Sequence, residues 1–96
     1  MQSFIVCCGT NGRCVVFGEC ESEPVTSQAI ELHNARMVLY WPKECSGLFG
    51  LAAKGAKNGL RLTEAVSKTA TEAVRQWIAV SDDSAASLRE WPAFNG

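Results

Sequence analysis

Gln2-Ser3-Phe4-Ile5-Val6-Cys7-Cys8, then Gly9-Thr10-Asn11-Gly12-Arg13, then Cys14-Val15-Val16-Phe17-Gly18-Glu19-Cys20: two β-prone runs enclose a polar link that contains Asn-Gly. That dipeptide is the strongest short hairpin signal, because a type I′ turn needs positive φ at both central residues. With Asn11 and Gly12 in those places, Thr10 faces Arg13, Cys8 faces Val15 and Cys7 faces Val16. An N-terminal β-hairpin is therefore expected.

The stretch Glu21-Ser22-Glu23-Pro24-Val25-Thr26-Ser27 is polar and broken by proline, as a connection between strands should be. From Ala29 to Trp41 the residues first alternate and then become apolar on both faces, with Asn34-Ala35 placed as a turn or bulge between two strands. The piece from Arg36 to Trp41 reads as a central strand or as one covered by another subunit. Pro42 ends it. Ser46 can then cap a short helix running through Lys54, with Gly55 where a left-handed residue is wanted. The glycine content of Gly55-Ala56-Lys57-Asn58-Gly59 predicts a mobile loop.

Residues 60–70 are polar and weakly periodic, compatible with strand or irregular structure. Residues 73–80 fit a helix by the propensity of Thr71-Glu72-Ala73, or a strand by Trp77, Ile78 and Val80. Ser81 followed by Asp82 and Asp83 has the form of a helix N-terminus, and Pro92 stops that helix after Trp91. The expected fold is α+β: one domain over residues 1–96, a small and mainly antiparallel sheet with an N-terminal hairpin and two short helices.

Composition agrees with a folded domain: of 96 residues, 47% are hydrophobic and 20% charged. A chain this short buries only about 60–65% of the surface its unfolded form exposes, so association into a homo-oligomer is expected to support it. The apolar run after Met1 stops at Gly9 and no basic segment precedes it, so no targeting segment or spanning helix is expected. Five cysteines, an odd number without a secretory signal, point to reduced thiols in a cytoplasm. The net charge is −1, yet Lys43, Lys54, Lys57 and Arg61 cluster between Pro42 and Arg61 against Glu44 alone. Such a patch suits a discrete anionic ligand and argues against a long nucleic-acid track. An ordinary solvated face is the plainer account of it.

The order Asn34-Ala35-Arg36, Tyr40-Trp41, Gly47-Leu48, Leu51-Ala52 and Gly55 resembles that of a family of small uncharacterised proteins encoded in bacteriophage genomes. Val16-Phe17-Gly18 in the hairpin, the polar connection and Val80 before the closing helix extend the resemblance over most of the chain. It implies a phage accessory protein acting in the cytoplasm of a bacterial host, and it carries no activity over to particular residues. The cysteine richness departs from the family's pattern.

Cys-x-x-Cys is absent and His33 is the lone histidine, so the usual zinc spacings are missing and no metal or cofactor is expected. In the register above, Cys7 and Cys14 are diagonal neighbours on one sheet face. That arrangement permits oxidation or metal binding, but buried thiols acting as small hydrophobes explain it more simply. No thiol is placed by spacing beside His33, and Asp82-Asp83 serve the helix dipole, so no enzyme is expected. The expected binding surface is Tyr40 and Trp41 for stacking, Ser46 and Gly47 at a helix start, and the cations Lys54, Lys57 and Arg61. Together these parts suit a small nucleotide-like anion. The expected function is a counter-defence oligomer that sequesters a nucleotide immune signal without catalysis. An interaction module against a host protein and a signalling-nucleotide hydrolase are the alternatives.

Overall fold

The computed structural model describes residues 1–95. Six strands form one sheet, with β1 (Gln2–Cys8), β2 (Cys14–Cys20), β3 (Glu31–Tyr40), β4 (Arg61–Leu62), β5 (Val66–Ala70) and β6 (Val74–Ala79). Two helices, α1 (Gly47–Lys54) and α2 (Asp82–Glu90), complete the α+β fold. Among the described residues no helix is long and apolar enough to cross a membrane. The strands lie in the order β4-β3-β2-β1-β6, every ladder is antiparallel, and β5 pairs with β3. Along β3, Glu31 to Ala35 pair with β5, and Val38 and Tyr40 pair with β4.

The short link 71–73 between β5 and β6 forces the sheet to curl. Laid flat, these two strands would sit four spacings apart, about 19 Å, whereas four Cα steps reach only about 14 Å. Backbone bonds stitch the closure: Thr71 N–H to Ile30 O at 2.8 Å, Val74 N–H to Gln28 O at 2.9 Å and Ser27 N–H to Val74 O at 2.7 Å. Under this closure lies one core of Phe4, Val6, Val16, Leu32, Ala35 and Val74, where Trp77 meets Phe4 edge-on at 5.6 Å. On the opposite face Ile5, Cys7, Val15, Phe17 and Val38 pack under Leu51 and Ala52 of α1 and Ala85 and Leu88 of α2. Side chains alternate faces along a strand, so a strand covered on both sides reads as an unbroken apolar run. Phe4 to Cys8 is such a run.

The hairpin forms, but its register is one residue away from the type I′ expectation. Cys8 faces Cys14, Cys7 faces Val15 and Val6 faces Val16. The turn spans Gly9 to Gly12, closed by Gly12 N–H to Gly9 O at 3.0 Å, and its positive φ angles belong to Gly9 and Gly12. Because both faces of β1 are buried, the slip costs no apolar match, and the turn alone sets the register. Gly9 supplied the second left-handed position.

Asn34 is a bulge within one continuous β3: Phe17 faces Arg36 while Glu19 faces His33, and Asn34 takes φ 50. Its side-chain amide donates to Glu19 Oε1 at 2.7 Å. The ambiguous segments 60–70 and 73–80 both contain strand. At α2 the sequence signals hold, since Ser81 Oγ accepts from Ser84 N–H. At α1 they do not. Ser46 adopts φ 61, ψ 42, its side chain makes no cap, and its N–H instead closes the 3-10 turn Lys43–Cys45 by bonding Lys43 O. Gly55 has positive φ and is buried against α2, and Ala56 N–H donates to Ser87 Oγ at 3.0 Å. The start of the loop predicted to be mobile is therefore tied to a helix.

Candidate functional site

Beside the hairpin loop, on the helix-covered face, is a cleft of about 480 Å³ lined by Asn11, Gly12, Arg13, Cys7, Val15, Trp41, Leu48, Arg75 and Gln76. Three local features place its polar residues. Arg13 is the last residue of the loop that the two left-handed glycines shape. Arg75 is the unmatched residue of a β6 bulge, since Cys7 pairs with Gln76 and Cys8 with Val74, and a bulge redirects a side chain. Trp41 follows β3 and is held half-buried against the helix-side core as Pro42 turns the chain toward α1.

A second hollow of about 350 Å³ continues past the same Trp41, Leu48 and Gln76 to Ser46, Gly47, Phe49 and Ile78. It carries no charged lining residue. The combined surface thus has two guanidinium groups at one end, an indole in the middle, and an apolar, helix-start end. Among the described residues no carboxylate lines either part. Glu72 lies nearby, in an adjoining hollow with Gly9, Thr10 and Arg75. Two cations and an aromatic ring on one surface are parts suited to an anion that also carries a flat ring.

The residues expected at the site divide into two groups. Trp41, Ser46 and Gly47 come together in the cleft. Tyr40 and Arg61 pair across β3 and β4 instead, and the Arg61 guanidinium lies 5.3 Å from the Tyr40 ring and 4.7 Å from the Phe94 ring. Lys54 is the last residue of α1 and Lys57 lies in the turn whose carbonyl accepts from Leu60 N–H, and neither lines the cleft. Asn11, Arg13 and Arg75 line the cleft beside Trp41 instead. The Asn-Gly-Arg loop was a visible signal for the first two.

On the other face, Met37, Leu39, Val66 and Phe94 line an apolar groove of about 470 Å³ together with Val16, Ala35, Thr63, Glu64 and Thr69. Those four large side chains are 42–51% exposed, too many in one place for a solitary surface residue.

The thiols are graded by burial. Cys7, Cys8 and Cys45 are buried, Cys14 and Cys20 half-buried. Loss of water pushes the Cys7 and Cys45 thiols up, and it pushes Cys8 up to about 11, with the neighbouring Cys14 adding to the effect. Among the described residues no group of three or more His, Cys, Asp or Glu can hold a metal ion. Thiol labelling at pH 8 is expected to modify Cys14 and Cys20 first and the buried three only on unfolding. The unfolded chain loses the Cys8 proton near 9.0 and the folded one only near 11. Stability should accordingly be flat below pH 9 and fall as the pH rises toward 11, as urea midpoints will read.

A family model described as "Domain of unknown function (DUF6948)" matches residues 1–88 of the chain, which takes in every strand and most of α2. No curated protein and no solved structure matches it.

Proposed function

This chain belongs to the DUF6948 family, and we propose that it binds and sequesters a small nucleotide-like anion in the Trp41 cleft without transforming it. The observation that carries the reading is that Arg13, Arg75 and Trp41 line one cleft, with no carboxylate among its described lining residues. The guanidiniums pair with phosphate oxygens, the indole takes the base, and Asn11 and Gln76 supply hydrogen bonds to fix orientation. No Cys-His contact or pair of convergent carboxylates lines the cleft, which favours retention over turnover. The setting proposed is that of a phage accessory protein holding a host immune signal, as the resemblance of the Ala35-Arg36 and Tyr40-Trp41 order implies. A homo-oligomer is part of the proposal, since the chain is small and its apolar groove is open.

Native mass spectrometry with a pool of linear and cyclic nucleotides tests ligand and subunit number together. The expected result is one retained nucleotide mass, released unaltered on denaturation. Arg13→Ala and Arg75→Ala should each weaken binding by roughly 10- to 100-fold, the loss of one charged hydrogen-bonding group. Lys54→Ala and Lys57→Ala should bind as the parent does. Binding that survives both arginine changes would remove the cleft from consideration, and a released product would replace sequestration with hydrolysis.

The groove of Met37, Leu39, Val66 and Phe94 favours a second reading, an interaction module that presents an apolar surface to a host protein. A stoichiometric host partner that is lost on Leu39→Glu, with no nucleotide retained, is the result that would put this reading first.

A further inference from the structure

We propose that Cys8 and Cys14 form a reversible intramolecular disulfide when the protein meets a peroxide, tying the two ends of the Gly9–Arg13 loop together. The pair exists only in the register the structure takes, where the two residues are direct partners across β1 and β2. Ser3 O accepts from Val80 N–H of the neighbouring chain segment, so the odd-numbered residues of β1 address β6 and the even-numbered ones address β2. Cys8 and Cys14 are therefore a pair that exchanges ladder bonds, with Cα atoms about 5.5 Å apart, inside the Cα range of a disulfide, and with Cβ atoms about 1 Å wider than the bond takes, so closing it draws the two loop ends together and leaves a strained, readily reduced bond. The Cys8 thiol already points across the strands, donating to the Cys14 carbonyl at 3.5 Å.

The remaining thiols are placed elsewhere. Cys7 belongs to the helix-side core with Ile5, Val15 and Phe17, Cys45 lies in that core beneath α1, and Cys20 faces Gln2 at the far end of the hairpin. Cys14 is half-exposed, so the oxidant reaches it first. Its thiolate displaces hydroxide from hydrogen peroxide and becomes a sulfenic acid. The Cys8 sulfur then attacks that sulfur, the S–O bond breaks and the S–S bond forms, and the Cys8 proton leaves with the oxygen as water. Two thiols and one peroxide give one disulfide and two waters.

The test is mass spectrometry of the reduced full chain before and after stoichiometric hydrogen peroxide. A loss of about 2 Da is expected, reversed by dithiothreitol. Trypsin cuts after Arg13, so the peptide from Met1 to Arg13 should remain joined to the peptide from Cys14 to Arg36 until reduction. Cys8→Ser and Cys14→Ser should each abolish the joined peptides, and Cys7→Ser should keep them. The half-exposed Cys14 tolerates its change should Cys8→Ser fail to fold. Joined peptides that persist in Cys8→Ser or vanish in Cys7→Ser would overturn the assignment, as would a parent chain that gains oxygen or stays unchanged.

Discussion

Arg36→Met is expected to destabilise the protein by roughly 3 to 5 kcal/mol, the loss of several hydrogen bonds from a buried charged group. Arg36 is 4% exposed and has no carboxylate partner among the described residues. Its Nε donates to Thr63 O at 2.8 Å, and its Nη1 donates to Leu88 O at 2.8 Å, Trp91 O at 2.6 Å and Arg89 O at 3.3 Å. Three of those acceptors are carbonyls at or just past the end of α2, where the helix leaves its carbonyls without intrahelical partners and gathers partial negative charge. One guanidinium thus closes the helix end and fastens it to the centre of β3. Burial pulls its pKa down, which measures the cost of keeping the charge there.

Methionine fills similar volume but leaves those carbonyls unpaired, and each costs about 1–3 kcal/mol when buried. Against a total stability of about 5–15 kcal/mol for a domain, that is a large fraction. Urea denaturation reads the shift, and hydrogen exchange should show amides of α2 opening before those of β1 and β2. Arg36→Lys should recover only part, because an ammonium cannot reach Thr63 and α2 at once. A midpoint in Arg36→Met within about 0.5 kcal/mol of the parent, the range of an inert surface change, would remove this account.

Arg36 also marks where sequence reading stops. The Ala35-Arg36 order was distinctive, yet nothing in it indicates that the acceptors lie more than fifty residues away, at Leu88 and Trp91. What was legible was local. Ser81, Asp82 and Asp83 mark the start of α2 because capping and dipole effects act within one turn, and Pro92 marks its end. The hairpin was legible from Asn11-Gly12, but its register was not, since apolar residues on both faces fit either pairing. The candidate cleft divides the same way. Trp41, Ser46 and Gly47 are close in sequence and meet in space, whereas Arg75 joins them only because residues 74–79 form a strand beside β1 and bulge there. Lys54 is close to them in sequence, but the helix rise carries it about 10 Å from the start of α1. Arg61 leaves the set for a longer-range reason, the arrival of Phe94 from the chain's end.

Gly50→Ala should reverse the usual effect of adding a methyl group to a helix. In an exposed helix interior, alanine is favoured over glycine by about 1 kcal/mol. Here a Cβ at residue 50 would overlap the Cys45 carbonyl oxygen and stand 2.7 Å from Ser46 Cβ. The cause lies upstream: the Lys43–Cys45 turn and the left-handed Ser46 fold the chain back so that the first turn of α1 rests on that carbonyl. Neither side can yield cheaply. The obstacle is backbone, and Cys45 and Leu51 anchor its two sides in the helix-side core. A loss of about 3 kcal/mol, the upper part of the overpacking range, is expected, visible as a melting temperature lower by more than about 10 °C.

Gly47→Ala separates this steric effect from backbone strain, because Gly47 has φ 73 but nothing within 4 Å of its would-be Cβ. It should cost only about 1–2 kcal/mol, the price of a left-handed alanine. Displacing α1 at Gly50 also moves Ser46, Gly47 and Leu48, which line the cleft, so nucleotide retention should fall even where the fold survives. Gly47→Ala leaves the helix seated and should retain more. A Gly50→Ala protein that melts at or above the parent temperature would mean that α1 does not rest on the Cys45 carbonyl, and the helix-start end of the cleft would have to be redrawn.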